Sequence, residues 1–361
     1  MTRGAARGAD AVRPAVRALA AYSLLPPPAG PVAAKLDFNE APFDVPDEVK
    51  DEVLSRLRDL RWSRYPDFGA PRLVEAVARH SGRRPEEVVV GNGSGELLLA
   101  AVGVLAGEGG TLVVPSPSFS LYGQLAVLAG ADVVSVPRSA PRFDVDVPAL
   151  LAALEGAERP VALVCSPNNP TGGTVPLEAL AEVASRAAAL LVDQAYVDFA
   201  EEEDDARALL DRFGNVVVFR TLSKAFAAAG FRIGYALASP DLAAEVRKGV
   251  LPFSVDLAAE ELSLALLARP ELSRRAVDAV KAERGRVASA LAALGAEVAP
   301  SRANFLWASL PGVPGAALRE RLLDRGVLVR RPGSAEGGYV RVTIGTPEEN
   351  DLFLAAMKEI R

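Results

Sequence analysis

Cysteine and histidine are nearly missing. The 361 residues include one of each, Cys165 and His80, and that scarcity removes whole mechanisms. No disulfide can form within the chain, and no cysteine-based zinc site can be built, so no metal is expected. A Ser-His or Cys-His nucleophile would have to use His80. It stands in VARHSGRRPEE, a polar helix-to-loop segment expected at the surface, and Cys165 lies in an apolar run expected in the core. Long hydrophobic runs are absent too: no stretch approaches the roughly 20 apolar residues that span a bilayer. Nor is there an excess of positive charge. The net charge is −6, which gives no overall pull toward nucleic acid or an anionic membrane. The N-terminal stretch MTRGAARGADAVRPAVRALAAY is poor in acids. Ala and Arg are abundant throughout, however, so it reads as an amphipathic arm rather than a transit peptide. The cytoplasm is the expected compartment.

What is present is a globular balance, 50% hydrophobic and 24% charged, on a chain long enough for two subdomains. SLLPPPAGPVAAKLDFNEAPFDVP reads as an extended connection, and Asp47 to Leu60 has helical spacing. From Val88 onward short apolar strands alternate with helices. That pattern predicts an α/β fold whose mostly parallel sheet is covered on both faces. Helices are expected over Leu97–Leu105 and Phe119–Leu128, and from Leu257 to Leu294 with a break at Pro270. After that the chain reads as a smaller α+β unit. The expected division is an arm and small-domain segment at 1–44, a large domain at 45–252 and a small C-terminal domain at 253–361. The EEEDD run at 201–205 reads as a solvated loop.

In parallel α/β sheets ligands bind at the carboxyl ends of strands. Four unusual peptides fall there: GNGSGE, SPNNPTG, DQAYVDF and TLSKAF. GNGSGE is either a tight turn or an anion site, since its glycines let backbone N–H groups approach a ligand at an electropositive helix start. It is not the dinucleotide fingerprint, because Glu96 occupies the third glycine position, which argues against a nicotinamide-dependent oxidoreductase. Asp193 follows a Leu/Val strand, where an unpaired carboxylate is costly, so a cationic partner is expected. Lys224 and Arg232 sit in the connection between two buried strands.

NNPTG, D-x-x-Y and SKAF-x3-G-x-R-x-G-Y, in this order, resemble the aspartate-aminotransferase-like enzymes that use pyridoxal phosphate, the fold-type-I transferases. LDFNEAPF, RYPDFGAPRL, VVVGNGSGELL, TLSKAFAAAGFRIGY and YVRVTIGTPEEN look like the histidinol-phosphate aminotransferase branch, and the match runs from about residue 12 to the C-terminus. The resemblance implies that Lys224 carries the cofactor as a Schiff base and later moves the substrate proton. It implies that Asp193 pairs with the ring nitrogen and that Tyr196 and Asn169 bond its phenolic oxygen. Ser94, Gly95, Thr221, Ser223 and Arg232 would hold the phosphate, and Phe119 would stack on the ring. Tyr65 would reach the phosphate from the neighbouring subunit of a homodimer. Arg341, with Arg330 and Asn169, would bind the substrates, here histidinol phosphate and glutamate or 2-oxoglutarate. Related aminotransferases for aromatic or other amino acids, and a threonine-phosphate decarboxylase, share these motifs. The intact Lys224, Asp193 and Tyr196 set argues against a non-catalytic regulator. The chain departs from the family at four points: Phe119 stands where Tyr is common, Gly95 where an acid is common, Gln194 where Glu is frequent, and Ala41 and Phe43 where some members offer a phosphate-binding tyrosine.

Overall fold

The computed structural model describes residues 11–21, 30–331 and 337–361. The first residues of the expected proline-rich connection, 23–29, lie outside the described residues; the rest carries a short strand, β1 (Ala34–Leu36), in which Ala34 and Leu36 are buried and Lys35 is exposed. Seven strands then build one sheet. They are β2 (Val88–Asn92), β3 (Thr111–Ser116), β4 (Asp132–Pro137), β5 (Pro160–Cys165), β6 (Ala189–Asp193), β7 (Val216–Thr221) and β8 (Ile233–Ala238). Their spatial order is β2-β8-β7-β6-β5-β3-β4. Strands β3 to β7 pair in parallel, and only β8 runs against its neighbours.

Strand periodicity explains why the sheet is so apolar. Successive side chains point to opposite faces, and both faces are covered. Ala162, Val164, Leu190, Val192, Val216 and Val218 enter one core. Their neighbours Val161, Leu163, Leu191, Val217 and Phe219 enter the other. Each buried aliphatic side chain of this kind contributes roughly 1.5–3 kcal/mol. Asp193 has the parity of Leu191, so its carboxylate points to the second face. There it meets the helix Leu121–Ala129 and Cys165, its register partner on β5.

The reversal of β8 has a positional effect. Its first residues pair with the last residues of both neighbours, Ile233 with Asn92 and Gly234 with Thr221. Arg232, just before β8, therefore lies at the edge where β2, β5, β6 and β7 end. A side chain at Gly234 would place its Cβ 2.3 Å from the Ser94 backbone nitrogen, so glycine is what lets the helix Gly93–Leu105 start against this strand.

The rest of the chain forms smaller sheets: β9 (Glu297–Val298), β10 (Phe305–Ser309), β11 (Val327–Val329) and β12 (Tyr339–Thr343). β10 lies antiparallel between β9 and β12, and β1 pairs in parallel with β11. Between β11 and β12, Arg330 and Arg341 form an isolated antiparallel bridge. The helical stretch from Leu257 is divided as expected, into Leu257–Leu267 and Pro270–Ala293. Proline fits a first helical turn, where its missing N–H is not needed. Among the described residues no helix is long and apolar enough to cross a membrane.

Several local expectations are corrected. The helix after GNG begins at Gly93 rather than Leu97, because first-turn N–H groups need no partner within the helix and Glu96 accepts the Asn92 N–H at 2.6 Å. Phe119 precedes its helix, which starts at Leu121. His80 is half-buried rather than superficial, set edge-on to Phe226 at 5.6 Å, and burial lowers its pKa. The 201–205 run is not a solvated loop throughout. Asp204 is buried, and Asp205 pairs with the buried Arg220.

Candidate active site

The strand ends surround a cavity of about 300 Å3. It collects every sequence-predicted site residue except Tyr65: Ser94, Gly95, Phe119, Asn169, Asp193, Tyr196, Thr221, Ser223, Lys224, Arg232, Arg330 and Arg341 all line it. Tyr65 lies elsewhere, 80% exposed and stacked on Phe253 at 4.8 Å.

One side of the cavity is a set of hydrogen-bond donors. Ser94 and Gly95 occupy the first turn of the helix from Gly93, where unpaired N–H groups and the helix dipole favour an anion. Thr221 donates to the Ile233 carbonyl at 2.8 Å and accepts from the Ser223 N–H at 3.1 Å, which fixes the turn after β7. Arg232 adopts a left-handed backbone, φ 55°, uncommon for a non-glycine residue. That turn lets its guanidinium reach the Ser223 hydroxyl at 3.3 Å and the Ala229 carbonyl at 3.0 Å. A Cβ on Gly93 would come within 2.6 Å of the same guanidinium. Backbone, hydroxyls and guanidinium thus crowd one spot, with no acid drawn in to neutralise them.

Asp193 sits deeper and is 4% exposed. The expected cationic partner is not there: among the described residues no Lys or Arg forms an ion pair with it. Tyr122 donates its hydroxyl to Oδ2 at 2.6 Å and the Ala195 N–H donates to Oδ1 at 3.1 Å. Desolvation raises the Asp193 pKa, and the two hydrogen bonds oppose that shift. This is a buried carboxylate whose charge the protein leaves uncompensated.

Lys224 follows β7 and donates to the Phe38 carbonyl at 2.9 Å. Its ammonium lies 5.9 Å from the Tyr196 ring centroid. Desolvation, then the charge of Arg341, lowers its pKa to about 7. Tyr196 is buried, and desolvation pushes its pKa up to about 12. Its hydroxyl accepts from Asn169 Nδ2 at 3.3 Å, and Asn169 Oδ1 accepts from Arg341 at 2.6 Å. Asn169 is steadied by Asn168, which bonds the Ser118 hydroxyl, the Pro117 carbonyl and Thr171. Arg341 is 7% exposed, and its guanidinium lies over Phe305. The bridge to Arg330 is reciprocal, 3.0 and 2.7 Å between backbones. Directly opposed residues of an antiparallel pair project to one face, so both guanidinia belong to this cavity.

Sequence reasoning missed three contributors. Tyr122 could have been found from strand parity, since the face of Asp193 is the face its helix covers. The other two are Phe38 and Asn39. The tripeptide Asp37-Phe38-Asn39 touches three site groups in turn: the Asp37 carbonyl accepts from Arg341, the Phe38 carbonyl from Lys224, and Asn39 donates to Tyr196. No local signal marks these contacts, two of which run through backbone carbonyls.

The seven-stranded sheet and the polar groups gathered at its carboxyl edge define a class, the fold-type-I transferases that use pyridoxal phosphate. Comparison with known proteins narrows this: the family model for aminotransferase class I and II matches residues 33–357, and the chain belongs to that family. It is 38% identical to the histidinol-phosphate aminotransferase of Chlorobaculum tepidum over 335 residues, 90% of this chain and 94% of that one. It is also 38% identical to the enzyme of the same name from Thermococcus kodakarensis, over 90% of this chain and 91% of that one. Among solved structures it resembles histidinol-phosphate aminotransferase from Sinorhizobium meliloti in complex with pyridoxal 5'-phosphate. That match has a TM-score of 0.85 at 26% identity and covers 99% of this chain and 98% of that one.

The residues present fit this cofactor. Its phosphate matches the donor cluster around Ser94, Thr221, Ser223 and Arg232, its ring nitrogen can supply the cation that Asp193 lacks, and its aldehyde matches an amine whose pKa is near neutral.

Proposed function

We propose that the protein is a cytoplasmic homodimer that converts histidinol phosphate and 2-oxoglutarate to imidazole-acetol phosphate and glutamate. The observation that carries this reading is the placement of Arg341 and Arg330, bridged to each other, in the same cavity as Lys224. An aminotransferase admits two substrates in turn, and these two share an anionic end. The planar guanidinium fork suits carboxylate and phosphate alike. The shared name of the relatives supports the same substrate.

When bound, pyridoxal phosphate supplies an electron sink for the charge left on a substrate carbon that loses a proton. The chain supplies the rest. Lys224 would hold the cofactor, and its free amine would take up and return the substrate proton. A pKa of about 7 leaves that amine able to do both near neutrality. Asp193 would favour a protonated ring nitrogen. Tyr196 and Asn169 would bond the ring oxygen, Phe119 would lie against the ring, and the donor cluster would hold the phosphate. Arg341, Arg330 and Asn169 orient the substrate.

The test is a half-reaction screen of the cofactor-loaded enzyme against histidinol phosphate, phenylalanine, tyrosine and threonine phosphate, read as conversion to the pyridoxamine form. Histidinol phosphate should react fastest; faster conversion of an aromatic amino acid, or carbon dioxide released from threonine phosphate, would overturn the assignment. Arg341→Ala should raise KM roughly 10- to 150-fold in both half-reactions, the value of a charge-assisted hydrogen bond. An effect on one substrate only would refute the shared clamp.

The dimer reading draws on the surface around Tyr65. Trp62, Tyr65 and Phe253 line a hollow of about 820 Å3, and Trp62, Tyr65, Phe68 and Leu251 are each at least 70% exposed. An apolar patch of this kind favours a partner surface. We infer that Tyr65 completes the phosphate site of the other subunit. Tyr65→Ala and Lys224→Ala proteins, each nearly inactive, should regain activity when mixed and allowed to exchange subunits, because the hybrid holds one intact site. No recovery in a mixture shown to contain hybrids would place Tyr65 in its own subunit's chemistry or in none.

A further inference from the structure

We propose that Asn39 is a positioning residue that fixes the Tyr196 hydroxyl as a donor into the cavity, with Thr343 locking the Asn39 amide in the orientation this needs. The proposal rests on the cofactor reading above and assigns a role to a residue of the NEAPF segment that the motif reading left without one.

The argument is one of donors and acceptors. A phenol oxygen carries one proton and accepts through its lone pairs. Asn39 Nδ2 donates to it at 3.0 Å and Asn169 Nδ2 at 3.3 Å. With two amides donating, the phenol proton is free to point only away from them. Neither amide can turn round without loss. Asn169 Oδ1 is held by Arg341 at 2.6 Å. Thr343 Oγ1 accepts the Asn39 backbone N–H at 2.9 Å, so its own proton goes to Asn39 Oδ1 at 3.2 Å. The amide oxygen is thereby kept on Thr343 and the amide nitrogen on Tyr196. Asn39 itself is pinned. It is 1% exposed, its carbonyl accepts from Asn304 at 3.0 Å, and its φ of 54° is a left-handed conformation that asparagine tolerates better than most residues. Donation into a hydroxyl oxygen also strengthens that hydroxyl as a donor. Asn39 therefore sets both the direction and the strength of the Tyr196 O–H.

The test follows the pH at which the visible band of the loaded enzyme changes, in wild type, Asn39→Asp, Tyr196→Phe, the double variant and Thr343→Val. Aspartate keeps the acceptor facing Thr343 but replaces the donor facing Tyr196 with a second acceptor. That acceptor takes the phenol proton and leaves the group Tyr196 faces more basic. Asn39→Asp should raise the midpoint by about half a pH unit or more, a loss comparable to one hydrogen bond. In the Tyr196→Phe background the same change should add little, because its effect runs through the phenol. Thr343→Val, which leaves Asn39 in place, should shift the midpoint in the same direction by less, and it decides the matter if Asn39→Asp does not fold. An undiminished shift in the double variant, or unchanged midpoints in folded Asn39→Asp or Thr343→Val protein, would overturn the proposal. A wild-type protein that stays colourless with added pyridoxal phosphate would sink the cofactor reading and this proposal with it.

Discussion

A Lys224→Ala enzyme should purify colourless and lose turnover by more than about 10^4-fold, the upper range for a single acid–base group, because it also loses its covalent anchor. Its fold should survive. Among the described residues Lys224 makes one hydrogen bond, to the Phe38 carbonyl, and a desolvated cation contributes little to stability in its place. An unchanged melting temperature of the cofactor-free protein, by calorimetry, together with abolished turnover is the expected pair of results. Turnover within tenfold of wild type would remove Lys224 from the chemistry. The wild-type lysine carries a pH signature as well. Its pKa is lowered to about 7, so the neutral, nucleophilic form is lost as pH falls through that value. Uptake of pyridoxal phosphate by cofactor-free protein should therefore slow about tenfold per pH unit below about 7 and level off above it. A midpoint close to that of a free lysine would contradict the cause assigned here, burial reinforced by Arg341.

Asp193→Asn should cut turnover by about 10^2- to 10^3-fold, the scale of removing one preorganised electrostatic group, without loss of stability in the cofactor-free protein. Asparagine has the same shape: its one oxygen can accept the Ala195 N–H while its amide nitrogen donates to the Tyr122 hydroxyl, which accepts in turn. What it removes is the charge, and with it the reason for a ring nitrogen to stay protonated. Folding should gain from the loss of an uncompensated buried carboxylate, so the melting temperature of the cofactor-free variant is expected to hold or rise while affinity for the cofactor falls. Parallel losses in stability and turnover would make Asp193 a structural acid.

Much of this was legible in the chain, and the reasons differ by part. The large sheet announced itself because its strands are buried on both faces and read as unbroken Val and Leu runs. The peptides at their ends stood out because Gly, Pro, Asn and Lys are unusual next to such runs. Asp193 was found for that reason, but its partner was misjudged. Sequence gave grounds to expect a cation, whereas the fold supplies Tyr122, and the charge is left for the cofactor. His80 and the 201–205 acids were misread because polar composition was taken for exposure. The fold buries part of each, Asp205 by pairing it with Arg220 at the end of a neighbouring element. The strap at 37–39 was illegible because its work is done by carbonyl oxygens and one side-chain amide, which carry no pattern in a single sequence.

That strap also bears on how the enzyme comes into being. Its partners are distant along the chain: Asn39 and Thr343 are 304 residues apart, Phe38 and Lys224 are 186 apart, and Asn39 and Tyr196 are 157 apart. Contacts of such long range close large loops and form late, after local helices and neighbouring strands. The β5 to β7 sheet can assemble from residues close in sequence, yet its catalytic edge stays incomplete until residues 37–39 and β12 meet across it. On a ribosome, β12 emerges after all seven strands of the large sheet. The cavity therefore matures after the large sheet, and a nascent chain acquires that architecture before it acquires its chemistry.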